Sequence, residues 1–183
     1  TTPDPLAITL GAVVSQTCQG PVVNMSMAMD ANANFDQLIT GCSTSPAPQT
    51  PYGTELTFLR QSIQQTNEYL TTLEDAFNNG TNMSSMYPAN GNNLADQLQL
   101  VAKLINGGLK TQFYICNIGG FDTHANQVDQ GDTTAGFLAN LLDQLSVAVE
   151  AFQDDLKLMG DEDRVLGMTF SEFGRRIGAN GSM

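Results

Sequence analysis

The 183-residue sequence predicts an α/β fold, and three observations predict it. Two short, apolar, β-rich runs, 112–118 and 164–170, flank one long amphipathic pattern. Two further amphipathic patterns lie upstream. Each apolar run ends in a polar cluster containing glycine, as strands do where they leave a sheet. Strand, helix and strand in succession describe a βαβ unit, so the two runs are expected to be buried, parallel neighbours.

Residues 1–53 hold most of the seven prolines and little sustained periodicity, and read as a loop-rich N-terminal segment. Within them, 6–14 is apolar enough for a strand or a helical turn. The stretch 43–51, with Pro46, Pro48 and Pro51, is a loop by composition. From residue 54 the pattern changes, and 54–183 reads as one α/β domain. Leu56, Leu59, Ile63, Leu70, Leu73 and Phe77 recur at three, four and seven residues, which marks an amphipathic helix. Asn78-Asn79-Gly80 ends it. After a loop through Tyr87-Pro88 and Asn90-Gly91-Asn92, a second helix carries Leu94, Leu98, Val101, Ile105 and Leu109 as one stripe. Gly107-Gly108 marks its frayed end.

The run 112–118 follows as the first buried strand and stops at Gly119-Gly120. A polar loop, 122–134, leads to a helix over 136–159, expected to bury Leu138, Leu141, Leu142, Leu145, Val149, Phe152 and Leu156. Its far end is acidic, with Asp154, Asp155, Asp161, Glu162 and Asp163. The run around Asp161 has no calcium-loop spacing and reads as a solvated loop. The second strand, 164–170, then leads into Ser171-Glu172-Phe173-Gly174-Arg175-Arg176.

Composition narrows the function. Seven basic against nineteen acidic residues give a net charge of −12, which repels nucleic-acid phosphates and anionic lipid. No nucleic-acid partner is therefore expected. No apolar run approaches the roughly 18 residues needed to cross a bilayer, so no membrane span is expected either. Only 14% of residues are charged, and Asn, Gln, Ser, Thr and Gly fill the gap, as is common in exported proteins. The start at Thr1 carries no signal-peptide pattern and is expected to be a processed or excised end. Cys18 and Cys42 lie in polar, loop-like surroundings where a disulfide and two free thiols are equal expectations. Cys116, inside an apolar run, reads as a buried and inert thiol. The Asn-x-Ser/Thr triplets at Asn24, Asn79, Asn82 and Asn180 are explained as well by polar composition as by glycan attachment.

Ligands in open α/β sheets bind beyond the carboxyl ends of the strands. Asp122 and His124 fall there after the first strand and offer a carboxylate oxygen and an imidazole nitrogen, donors suited to zinc or a similar divalent ion. Residues two apart in extended backbone point to one side, so both can reach one ion. Asp-Thr-His is more often a simple turn with its Asp capping backbone amides. Two donors also fall short of the three or four of a tight zinc site. After the second strand, Glu172 supplies a carboxylate and Arg175 an anion clamp for phosphate or sulfate. The competing meaning of that pair is a salt bridge at a helix start. Ser171 lacks the glycine elbow of a serine nucleophile.

Taken together, Gly119-Gly120-Phe121-Asp122-Thr123-His124-Ala125-Asn126-Gln127, the long helix, Thr169-Phe170-Ser171-Glu172-Phe173-Gly174-Arg175-Arg176 and Asn180-Gly181-Ser182 resemble the bacterial family called domain of unknown function 1501. The stretch 94–110 fits as well. The resemblance covers roughly residues 54–183. It implies a partial alkaline-phosphatase-like sandwich, with parallel strands flanked by long helices. It also implies a secreted, periplasmic or cell-surface setting in a bacterium. By resemblance, Asp122 and His124 are ligands to a divalent metal ion, and Glu172 and Arg175 line the same substrate cleft. The parent is then a hydrolase of small anionic phosphate or sulfate esters. Two departures stand out: the family's Asp-His stretch after Asn-Gly-Ser is absent before Met183, and no nucleophile strand is recognisable before residue 54. The chain is therefore expected to be a fragment, inactive by itself. The alternative is a non-catalytic secreted surface or assembly protein that keeps the fold and binds a protein partner.

Overall fold

A computed structural model describes residues 4–11, 26–30, 32, 45–124, 127–129, 131–171 and 174. Among these the protein is mixed α/β, with three helices and a three-stranded parallel sheet. The elements are β1 (Ala7–Leu10), β2 (Ser26–Met29), α1 (Pro51–Asn79), α2 (Asn93–Asn106), β3 (Phe113–Ile115) and α3 (Phe137–Met159). The chain divides into two compact units. One comprises Thr1–Asn82 with Leu100–Asn117, the other Met83–Gln99 with Ile118–Met183.

The first unit is built on the sheet, in the order β2-β1-β3. Both pairings are parallel, with Ala7 opposite Ser26 and Phe113. Flanked on both edges, β1 is buried along its whole length, as its unbroken Ala-Ile-Thr-Leu run requires. The carbonyl of Leu6 accepts the N–H groups of Gln112 and Phe113, and Thr111 Oγ1 donates to the Pro5 carbonyl at 2.7 Å. These bonds fix the register of β3. Two of the strands thus come from the segment read as loop-rich. The run 112–118 forms a strand only over Phe113–Ile115, and it is an edge strand, not a buried one: Phe113 is exposed and its neighbours half-buried. Among the described residues it has β1 on one side only and lacks the second neighbour that a buried strand needs.

Helix α1 begins where Thr50 caps it, its hydroxyl accepting the Gly53 N–H at 3.2 Å, with Pro51 at the first helical position. Tyr69, Leu70, Leu73 and Ala76 form its buried face. Leu73 has no exposed surface, which stabilises the unit by about 1.5–3 kcal/mol. The ends of α1 and α2 meet backbone to backbone. A Cβ on Gly80 would lie 1.9 Å from the Lys103 carbonyl oxygen, and one on Gly107 would lie 1.8 Å from that of Ala76. Here Gly80 and Gly107 serve close approach, where the sequence suggested only helix ends. Thr81 N–H donates to Asn106 Oδ1 at 2.9 Å, and Lys103 Nζ sits 3.4 Å from the Phe77 ring centroid.

The second unit is organised by α3, the start of α2 and the segment before it. Asn92 caps α2, its Oδ1 accepting the Ala95 N–H, while its Nδ2 donates to the Gln144 carbonyl at 2.8 Å. Only the C-terminal half of α3 is deeply buried, through Ala148, Ala151, Phe152, Asp155 and Leu156. Leu142 and Val149, expected in the core, are exposed. Asp155, at the acidic end of this helix, is fully buried. Its Oδ1 accepts the N–H groups of Met83 and Ser84 at 2.6 and 2.9 Å. Asp154 Oδ2 accepts the Ser84 hydroxyl at 2.6 Å.

The expected second strand does not form. A single 3-10 turn at Glu162–Arg164 follows α3, and residues 165–170 have no regular structure. Leu166, Met168 and Phe170 are 95%, 80% and 81% exposed. A strand is defined by its neighbour, and no neighbour pairs with this segment among the described residues. The expected βαβ unit is accordingly absent, and the parallel sheet is made from other strands.

Candidate functional site

Asp122 and His124 lie in the second unit, on the loop between residue 118 and α3. The loop is shaped locally. Gly120 has φ of +93°, a conformation that side chains rarely adopt, and a Cβ there would meet Leu141 of α3 at 3.3 Å. Beyond it the backbone turns tightly: Thr123 N–H donates to the Phe121 carbonyl, and His124 N–H to that of Asp122. This turn folds the two side chains onto each other, with Asp122 Oδ1 2.8 Å from His124 Nε2. The structure therefore brings these two site residues together.

Both side chains are open to solvent, at 80% and 73% exposure. Water screens such a pair, so it adds little to stability. With the imidazole proton on Nε2, the carboxylate orients the ring and leaves Nδ1 free as a proton acceptor. Without that proton, both atoms present lone pairs to a cation. Donors on a tetrahedral zinc ion at about 2.0–2.1 Å stand about 3.3 Å apart, so a modest opening of the pair accommodates one. No group of three or more His, Cys, Asp or Glu side chains placed to hold a metal occurs among the described residues. Glu172 and Arg175 lie outside the described residues, as do Cys18 and Cys42.

The loop before α3 is tied to itself. Asp132 Oδ1 accepts the N–H and the hydroxyl of Thr134 at 2.8 and 2.7 Å, which holds its carboxyl below the usual range. The Gly136 backbone packs on Val128 and Asp129. Cys116 is half-buried, and burial pushes its thiol up to about 12, in keeping with an inert group.

No sequence pattern signals the arrangement of Asp155 and Tyr87. The Tyr87 hydroxyl is enclosed and has no well-aligned partner among the described residues. Burial first, then the Asp155 and Asp154 carboxylates, push its ionisation upward. These groups face inward and fasten the segment before α2 to α3, a structural role. No described helix is long and apolar enough to cross a membrane. Compared with models of known families, with curated proteins and with solved structures, the chain matches none.

Proposed function

We propose that this chain is part of an exported, alkaline-phosphatase-like protein acting on small phosphate or sulfate esters. Asp122 and His124 would be its ligands to one divalent metal ion, zinc or a similar one. The observation that carries this reading is the 2.8 Å approach of Asp122 Oδ1 and His124 Nε2 on a solvent-open turn, within the motif on which the family resemblance rests. The parallel sheet and long helices are compatible with a sandwich of that superfamily. Glu172 and Arg175 would line the same cleft, Arg175 as the anion clamp.

The two donors fit part of such a site. A bound ion would polarise a phosphoryl or sulfuryl oxygen as a Lewis acid. The chain's own contribution is narrower: Asp122 orients the His124 ring, and Gly120 holds the turn against α3. With two donors where three or four are needed, the 183-residue chain is expected to hold metal weakly and to turn over no ester. Zinc titration against a chromophoric chelator tests the site. One weakly held ion, lost in both His124→Ala and Asp122→Asn, supports it. Binding indifferent to both substitutions, or no binding, sinks it. Turnover of an aryl phosphate or sulfate that His124→Ala abolishes would instead show a complete site in this chain.

A second reading, a non-catalytic surface or assembly protein, is favoured by one observation. Leu166, Met168 and Phe170 stand exposed at alternate positions of an irregular segment, an apolar surface of the kind that partners cover. It predicts no metal binding at Asp122 and His124.

A further inference from the structure

Helix α1 carries an apolar stripe longer than the surface that covers it. Tyr52, Leu56, Leu59, Ile63, Thr66, Leu70, Leu73 and Phe77 alternate at steps of four and three, the 3.5-residue repeat of a coiled-coil seam. The lower part of that face is occupied within the first unit: Leu70 is 6% exposed and Leu73 not at all. Among the described residues the upper part is only partly covered. Tyr52 is 69% and Leu59 55% exposed, with Leu56 and Ile63 half-buried. One continuous seam is thus half used.

We propose that the upper half of α1 pairs with the same segment of a second copy of this chain, as a short parallel two-stranded coiled coil. Three observations select this occupant. Leu56 and Ile63 take one seam position and Leu59 the other, the aliphatic pattern that dimeric seams use. The flanking residues are complementary in the parallel register, where the residue before one seam position faces the residue five further on in the partner helix. That rule sets Glu55 of each copy against Arg60 of the other. In a chain of net charge −12, this opposes like-charge repulsion where it matters. An antiparallel pair matches each flanking position with its own kind, so Glu55 would not meet Arg60. Arg60 is also held along its flank, since one guanidinium nitrogen donates to the Ser45 carbonyl at 2.7 Å and leaves its other N–H groups for a carboxylate.

Two heptads are short for an isolated coiled coil. Here the helix is already formed and anchored at its lower end, so pairing bears no cost of helix nucleation. The proposal stands apart from the reading of Asp122 and His124.

Sedimentation velocity of the full chain across its accessible concentration range tests it, with circular dichroism confirming that each variant is folded. The expected result is a reversible dimer that Leu59→Asp abolishes. Glu55→Arg alone should weaken it by a factor of roughly two to five, and Glu55→Arg with Arg60→Glu should restore it. A monomer at every concentration overturns the proposal. So does a dimer that survives Leu59→Asp, or one blind to the single charge reversal.

Discussion

Asp155 Oδ1 accepts the backbone N–H of Met83 at 2.6 Å across 72 residues of sequence. The same oxygen takes the next amide, that of Ser84, and no part of Asp155 reaches solvent. One carboxylate thereby replaces water for two backbone donors that the irregular segment before α2 does not pair itself.

Replacing that carboxylate should be costly. Asp155→Ala leaves two part-buried amides without this acceptor and is expected to lower unfolding stability by about 1–3 kcal/mol. Urea unfolding measures it. Ser84→Ala loses the hydroxyl's bond to Asp154 and the one it accepts from the exposed Met86 N–H, and should cost about 1–2 kcal/mol.

The glycine contact between α1 and α2 makes a second prediction. Gly107→Ala places a methyl group against the Ala76 carbonyl, a rigid backbone atom that cannot swing aside. A loss of about 1–3 kcal/mol is expected, with Gly80→Ala behaving alike. An exposed control, Thr71→Ala, should leave the urea midpoint almost unmoved.

Cys116 should be slow to react. With its thiol pushed up to about 12 from an ordinary 9.0, almost no thiolate exists in the fold at pH 8. In a Cys18→Ser, Cys42→Ser background, iodoacetamide should label the native chain far more slowly than the urea-unfolded one. Equal rates would contradict the burial.

Alkaline pH should loosen the fold in a defined direction. Tyr87 and Cys116 both ionise later in the folded state than in the unfolded one. The unfolded chain therefore releases protons first, and stability falls as pH rises from about 9 for the thiol and about 10 for the phenol. Tyr87→Phe should flatten the part of the decline above pH 10, seen as a smaller drop in Tm between pH 9 and pH 11.

The exposed pair should be dispensable for folding. His124→Ala and Asp122→Asn remove side chains that touch little besides each other, so the urea midpoint should stay where it is. A large shift would mean that the turn bearing them is structural.

What the sequence revealed follows from how each element is stabilised. Helices α1 and α3 announced themselves because a helix carries its hydrogen bonds within itself and needs only one apolar face. Strand β2, Ser-Met-Ala-Met, gave no signal, since its residues have modest strand preference and its identity comes from lying beside β1. The opposite happened at 165–170, where a strong local strand pattern has no neighbour to pair with among the described residues. Asp155 was illegible for a similar reason. In an acidic run one carboxylate resembles the next, and only the fold decides which one is buried against two backbone amides. Asp122 and His124 were legible as a pair because two residues so close in sequence need only a turn to meet.

The register that sets Ala7 beside Phe113 also governs how the protein reaches its fold. The central strand leaves the ribosome before either partner, and one of the two arrives more than 100 residues later, after both α1 and α2. Closing so long a loop is entropically slow. Until it closes, β1 has an open edge. The sheet is therefore expected to form late, around helices already in place, and the nascent chain to be most vulnerable to misassociation in that interval.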